Sequence, residues 1–537
     1  MSDFKLTYAS MFNPPEEVHE RFEATLANMK ATQLGKTHAM LINNQDVVAE
    51  STYENRSPIN RHWLLAQLQA GTPQHAEAAM AAARAAFPAW SETDWHERVR
   101  LVRRAAEIIE SRQYELGVAT SLNTGKTRME SLADVQEAAD LLRSPCEWME
   151  RNNGYIVELG RDPLPGYTVR NFSVMKPYGA WLIISPFNFP IALTCGPAGA
   201  ALVAGNTVVT KPSVETSWVV RLLAECFRDA GFPAGVFNYV TGKDDELGKL
   251  LVDHPDVDGV TFTGSYAVGM EIYRKFALRD YPRPVVLEMG GKNATVVSRN
   301  ANLDHAALGI VRAAFGTAGQ KCSCTSRVYV EAPVYDDVLE HVTTLTNRLV
   351  TGDPTRRDVY VGPLIRENAY RAFLSYCQEL ASEGHMQTGG VTLQDGERAH
   401  GYYCAPTVVA GVPFNHRLWK REMFVPLVMI GSVPNLDEAL ALTNDTVYGL
   451  TGGFFGTAEE AQWYFARIQV GTSYANRLQG ASTGAWPGYQ DFGGWKGSGA
   501  SGKGTGGPYY TLSYLREQSQ TVVELNENEV NERERKA

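Results

Sequence analysis

Cys322 stands in the run FGTAGQKCSCTSR, where a small-residue turn follows a helical segment, precedes a strand, and could present a thiol to a substrate. A thiolate is strongly nucleophilic near neutral pH; it can add to an aldehyde carbonyl and, after loss of hydride, hold the acyl group as a thioester. Taken alone, a loop cysteine is more often inert, and the Cys322/Cys324 pair also admits a metal or disulfide reading. No second CxxC and no histidine cluster completes a zinc site, so no metal is expected. Glu288, in LEMGGKN, ends an apolar strand and precedes two glycines that let backbone or ligand come close. A carboxyl partly desolvated there has a raised pKa and serves as general base for the thiol or for the water that hydrolyses a thioester. The alternative is a glutamate capping the next turn. Asn188, in SPFNFP, lies in a kinked loop after the strand WLIIS. Its amide could donate to the oxyanion formed on sulfur attack, worth roughly 3–4 kcal/mol for a preorganised donor; otherwise it is a turn asparagine before Phe-Pro. FTGSYAVG (262–269) closes a strand and opens a helix, which places Gly264 and Ser265 for contacts to a pyrophosphate at the helix N-terminus. It is not GxGxxG, so the pattern alone does not fix a dinucleotide.

These residues need a frame. WLIIS, an apolar helix over 191–204, NTVVTKP, a helix over 215–230, VFNYVTG, a helix over 244–253 and GVTFTGS alternate strand with helix, which predicts a parallel, doubly wound α/β sheet. A second α/β pattern follows PVVLEMGG, with helix 303–316, strand RVYVE, helix 335–348 and strands around VPLVMIGSV and GGFFG. Upstream, Pro14 and Pro15 announce a helix starting near Glu16, and the alanine-rich HAEAAMAAARAAFPAW is expected to end near Pro88. The run from His96 has apolar residues at three- and four-residue spacing, which reads as surface helices packed on a sheet. YIVEL and TVRNFSVMKP read as β-segments joined by the Pro/Gly turn of RDPLPGY, a hairpin able to reach a neighbour. The role of residues 1–70 is not legible.

A chain of 537 residues predicts two or three domains, and its 44% hydrophobic and 20% charged composition is that of a globular protein. A formal charge of -10 argues against nucleic acid as the main partner. Seven scattered cysteines (146, 195, 226, 322, 324, 377 and 404) fit a reducing, cytoplasmic setting better than a disulfide framework. The start, MSDFKLTYASMFN, lacks the apolar core of a signal peptide. The apolar stretch 178–210 is broken by Pro186, Asn188, Pro190 and glycines, so it reads as buried strand, loop and helix with no membrane span.

Taken in order, SPFNFP, VTKPS, FTGS with Gly269, LEMGGKN, GQKCS, EMFVP and FGGWKGSG resemble the aldehyde dehydrogenase superfamily over nearly the whole chain. The resemblance implies an α/β fold of two doubly wound domains, a Rossmann-type cofactor domain (1–152 and 174–287) and a catalytic domain (288–490). It adds a β oligomerisation arm (153–173 and 505–525) and leaves a polar tail (526–537). It implies that Cys322 is the nucleophile, Glu288 the general base, and Asn188 part of the oxyanion hole with the cysteine's backbone amide. For the cofactor it implies Lys211 at the adenosine ribose, Gly264 and Ser265 at the pyrophosphate, Glu422 at the nicotinamide ribose, and Phe424 packing nearby. Ser185, Pro186, Phe187, Ser213 and Gly269 complete the cofactor groove.

Three departures qualify this transfer. Val214 stands where the family often has an acidic ribose ligand, with Glu215 one residue later; a 2′-phosphate is then less strongly repelled, leaving NAD and NADP both open. Val425 stands where glycine is usual, and Asp491 where proline is usual. Within the superfamily, the long N-terminal section, VTKPS and the ending GGPYYTLSYLREQSQT resemble the 1-pyrroline-5-carboxylate dehydrogenase branch, which oxidises L-glutamate γ-semialdehyde. That branch's substrate-carboxylate contacts map to Ser323, Gly480 and Ala481, a hydroxyl and backbone amides suited to an anion. The segment STGAWPGYQDFGG is longer than the branch usually shows.

The expected activity is NAD(P)-dependent oxidation of an aldehyde to a carboxylate, in a homo-oligomer whose partner is a small molecule, neither nucleic acid nor membrane. Three other readings compete: another semialdehyde or an aromatic aldehyde as substrate, acyl transfer to coenzyme A in place of water, and a catalytically silent binding protein. Glu288 speaks against the coenzyme A route, and the joint presence of Cys322, Glu288 and Asn188 against a silent protein.

Overall fold

The computed structural model describes residues 5–162, 167–478 and 485–525. Its first seven-stranded sheet runs in the order Val285–Glu288, Gly259–Thr263, Ala180–Ser185, Thr207–Pro212, Phe237–Tyr239, Met40–Ile42, Gln45–Val47. The five strands from Ala180 to Glu288 are parallel, and the Met40–Ile42 and Gln45–Val47 hairpin is added antiparallel at one edge. Every residue of Thr207–Pro212 is buried, as a strand covered on both faces requires. The helix Ala192–Ala204 that packs on it is almost wholly buried and stops at Gly205, whose φ of +99° forms a left-handed cap. Strand order reverses between Ala180–Ser185 and Gly259–Thr263. Chains diverging there open a crevice at the carboxyl ends of the two strands, where ligands of such sheets bind.

The second seven-stranded sheet runs His385–Thr388, Thr407–Ala410, Leu427–Val433, Thr325–Glu331, Asn293–Val297, Thr451–Phe455, Thr472–Ala475, parallel except at its first pair. The residues just before Asn293 and Thr325 therefore lie at its amino edge, facing the carboxyl edge of the first sheet. The alternation read from sequence is realised in both halves, and 178–210 forms the expected strand, loop and helix.

Two expectations for the N-terminal helices are corrected. The alanine-rich helix runs Pro73–Glu92, straight through Pro88. One lost N–H bond near its end is outweighed by burial of Trp90, 1% exposed and 5.7 Å from the Phe232 ring. The helices after it are not all surface helices: residues 116–124 of helix Gln113–Thr124 are buried throughout, and helix Arg128–Arg151 is buried along most of its length. Packed against other helices, Arg128–Arg151 and the turn before it carry buried charges, Lys126, Arg128, Glu130, Asp134 and Asp140, that periodicity cannot register.

The hairpin is present as strands Ile156–Glu158 and Tyr167–Pro177, and the latter pairs antiparallel along its whole length with Leu515–Leu525. Residues 505–514 precede that strand, and Tyr510 and Tyr514 are sunk in the first core. Among the described residues no helix is long and apolar enough to cross a membrane.

Candidate active site

Glu288 closes strand Val285–Glu288, and the two glycines after it have separate steric duties. A Cβ on Gly290 would lie 2.3 Å from Glu422 Oε2, and one on Gly291 would lie 2.3 Å from the carbonyl oxygen of Cys322. At 291 only glycine fits, because the atom it would meet is backbone, whereas at 290 the Glu422 side chain would have to move. The Gly291 N–H donates to Glu422 Oε1 at 2.9 Å. Ser498, from FGGWKGSG, holds the same bend: its carbonyl accepts the Met289 N–H at 2.8 Å and its hydroxyl donates to the Gly290 carbonyl at 2.6 Å. Burial alone pushes the Glu288 carboxyl well above its ordinary value, and Glu288 Oε2 has no hydrogen-bond partner.

Cys322 is delivered by a turn in which Thr317, Ala318 and Gly319 have φ of +51°, +53° and +72°. Gly319 is required because a Cβ there would lie 2.3 Å from the Val425 carbonyl oxygen. Behind the thiol, Asn293 Nδ2 donates to the carbonyls of Cys322 (2.7 Å) and Cys324 (2.9 Å), while Asn293 Oδ1 accepts the Thr451 N–H at 3.0 Å. One side chain thus pins the starts of three strands around Cys322. Burial, then the charges of Glu422 and Glu288, push the Cys322 thiol upward. Asn188 is buried, and its Nδ2 donates to the Gln320 carbonyl at 2.9 Å, tying the SPFNFP loop two residues ahead of Cys322; the same amide carries a second hydrogen.

Cys322, Glu288 and Asn188 line one cavity of about 620 Å³. On its first side lie Ser185, Pro186, Phe187, Lys211 and Ser213, with Gly264 and Ser265 at the start of helix Tyr266–Ala277. Glu422 and Phe424 complete it; the Phe187 and Phe424 rings meet edge to face at 5.9 Å, with Phe424 held at φ +59°. Ser323 lines the opposite side, where the wall is aromatic: Phe189, Trp486 and Phe492. Gly480 and Ala481 lie outside the described residues. A helix N-terminus, a buried lysine and a hydroxyl-rich strand end form a donor set suited to a dinucleotide's phosphates and riboses.

The sequence pattern described as "Aldehyde dehydrogenase family" matches residues 46–520. The chain belongs to the aldehyde dehydrogenase family. It is 38% identical over 515 residues to the 1-pyrroline-5-carboxylate dehydrogenase of Geobacillus kaustophilus, covering 94% of this chain and 96% of that one. The fold is similar to that of a 1-pyrroline-5-carboxylate dehydrogenase from Thermus solved with bound NAD, at a TM-score of 0.90 and 33% identity over 98% of this chain and 99% of that one. Proline utilization A of Bdellovibrio bacteriovorus is also similar, with a TM-score of 0.88 and 32% identity; the match covers 94% of this chain and 52% of that longer one.

Within this aldehyde dehydrogenase, one expected cofactor residue falls elsewhere. Gly269 does not line the cavity; a Cβ there would lie 2.5 Å from Met289 Sδ, so it lets helix Tyr266–Ala277 seat on the strand end. The missing carboxylate near Lys211 has a substitute that sequence reasoning overlooked. Glu215 turns away to Arg366 (2.9 Å) and Ser213, but Asp244 pairs with Lys211 Nζ and both line the cavity. Nothing in the run GKDDELG marks Asp244 as facing Lys211, which is 33 positions earlier. Val425 packs its side chain into the second core, and Asp491 sits where Gly504 and Gly507 leave room for it. Tyr8, Glu137 and Trp486 are further cavity residues that no motif announced.

Proposed function

We propose that this enzyme oxidises L-glutamate γ-semialdehyde, the open form of 1-pyrroline-5-carboxylate, to L-glutamate with NAD, through a thioester on Cys322. The observation that carries the reading is the convergence of Cys322, Glu288 and Asn188 on one cavity whose other half suits a dinucleotide. The whole-length likeness to 1-pyrroline-5-carboxylate dehydrogenases supports the choice of substrate.

Cys322 gives up its proton to Glu288 Oε2, the carboxylate oxygen left without a partner, and the thiolate adds to the aldehyde carbon. The alkoxide that forms is held by the second N–H of Asn188 Nδ2. When bound along Ser185–Phe187, Lys211, Ser213, Gly264, Ser265 and Glu422, NAD supplies the acceptor for the hydride that leaves the former aldehyde carbon. The acyl group then rests on Cys322 as a thioester. Once Glu288 has passed the thiol's proton to solvent, it takes a proton from water; hydroxide adds to the thioester carbonyl, the C–S bond breaks, and the sulfur regains a proton from Glu288 as the carboxylic acid leaves. Ser323, with Gly480 and Ala481, holds the substrate's α-carboxylate. Seven free thiols accord with work in a reducing cytoplasm.

The three-stranded sheet of Ile156–Glu158, Tyr167–Pro177 and Leu515–Leu525 serves as the oligomerisation arm. It leaves Ile156, Val157, Tyr167, Val522 and Val523 exposed, apolar side chains on both of its faces that a second copy would cover.

Steady-state kinetics with pyrroline-5-carboxylate under NAD and under NADP tests the reading. Wild type should form NADH and glutamate, whereas Cys322→Ala should form neither while still binding NAD in a direct titration. Turnover by Cys322→Ala would sink the thioester route.

A further inference from the structure

Residues 5–15, ahead of helix Glu16–Thr32, form neither helix nor strand, and they precede the stretch matched by the family pattern, which begins at 46. Even so, Tyr8 is only 4% exposed. Its ring meets Trp486 edge-on at 5.1 Å and Phe189 at 6.4 Å, and its hydroxyl donates to Glu137 on helix Arg128–Arg151. All four residues line the cavity that holds Cys322.

The segment is fastened like a strap. Lys5 Nζ lies 2.7 Å from Asp140 Oδ2, the same oxygen that accepts the Trp486 indole N–H at 2.9 Å. Farther along, the Phe12 ring lies 3.8 Å from the Arg312 guanidinium, which donates to the Leu478 carbonyl at 3.2 Å. Tyr8 is therefore held on both sides, against helix Arg128–Arg151 and against the chain that carries Trp486. This half of the cavity is walled by rings, and the lysines that line the cavity, Lys211, Lys249 and Lys275, belong to the half with the helix N-terminus.

We propose that Tyr8 is a specificity-determining residue, its ring acting as the end stop that sets the longest aldehyde chain admitted to Cys322. The inference rests on the reading of Cys322 as the site of aldehyde attack. A wall of this kind discriminates by volume, and one methylene too many against a closed apolar pocket is worth about ten- to two-hundred-fold in kcat/KM.

The test is the ratio of kcat/KM for octanal to that for propanal, with NAD as cofactor. Tyr8→Ala opens the end of the cavity and should raise that ratio at least about ten-fold, with most of the change in KM for octanal. Tyr8→Phe keeps the ring and should hold the ratio near the wild-type value. Lys5→Ala loosens the strap from its exposed end and should raise the ratio about three-fold; it stands in if Tyr8→Ala does not fold. A ratio unmoved in Tyr8→Ala or Lys5→Ala, with propanal still oxidised, overturns the proposal. So does a Tyr8→Phe enzyme that shifts as far as Tyr8→Ala, because the hydroxyl bond would then be what matters. A wild-type enzyme that forms no NADH from any aldehyde, pyrroline-5-carboxylate included, would instead defeat the proposed function itself.

Discussion

Glu130 Oε1 accepts the backbone N–H of Thr317 at 2.9 Å, so the first turn of helix Arg128–Arg151 holds the left-handed turn that delivers Cys322. The same oxygen takes the Thr317 hydroxyl at 3.0 Å and the Lys321 ammonium at 3.2 Å. Burial works to lift the Glu130 carboxyl, but Lys321 and Lys126 hold it below its ordinary value. Left-handed backbone at Thr317 and Ala318 is unfavourable for side-chain-bearing residues, and this carboxylate is a main restraint on it.

Glu130→Ala strands a buried Lys321 and frees the turn. Loss of one partner of a buried pair costs about 3–5 kcal/mol, which urea denaturation would read. The folded fraction should also lose kcat about ten-fold or more through misplacement of the thiol. Glu130→Gln can still accept from Thr317 and should lose less kcat than Glu130→Ala; equal losses would remove the turn-holding role.

Gly291→Ala and Gly290→Ala should separate into two phenotypes. The Gly291 Cβ would meet the Cys322 carbonyl, which is backbone and cannot swing aside, so kcat should fall about 100-fold. The Gly290 Cβ would meet the end of the Glu422 side chain, which can move, so its chief effect should be a higher KM for NAD. Initial-rate kinetics on both variants checks the split.

Asp244 sets the cofactor preference if the Lys211 end of the cavity takes the adenosine ribose. Its carboxylate repels a 2′-phosphate and occupies the Lys211 cation. Asp244→Ala should raise the NADP-to-NAD ratio of kcat/KM about ten-fold, the size of one modest charge interaction. An unchanged ratio would assign the preference to other residues.

Two pH effects run in opposite directions. Burial lifts Glu422 to about 7, against the opposing pull of the Gly291 N–H and Lys292. A carboxyl raised in the folded state stabilises fully below its unfolded value, near 4.5, and that stabilisation is lost as pH rises through about 7. The difference in Tm between wild type and Glu422→Gln should therefore shift against the wild type between pH 5 and 8; a difference independent of pH would refute the assignment. Taking the difference cancels buried groups that do not interact with Glu422, such as Glu137. Activity has the reverse sign, since Cys322 and Glu288 are both raised by burial and both must lose a proton. In kcat/KM profiles, the rate should still be climbing at pH 9, the ordinary thiol value.

The sequence by itself determined the alternating α/β pattern, the motif positions of Cys322, Glu288 and Asn188, and glycines wherever two chains must touch. These are local properties: a strand's apolar run, a helix cap and a glycine's missing Cβ act within a few residues of where they are written. It could not say that Gly290 makes room for Glu422 while Gly291 makes room for Cys322, nor that Gly269 serves packing. The tertiary structure alone decided that Asp244 supplies the carboxylate absent at Val214, that Glu130 braces the Cys322 turn from 187 residues away, and that Tyr8 reaches the cavity at Glu137, 129 residues along. Each of these depends on a polar or aromatic side chain meeting a distant partner in a buried space, and the geometry of that meeting is fixed only when both sheets and the helices between them have packed.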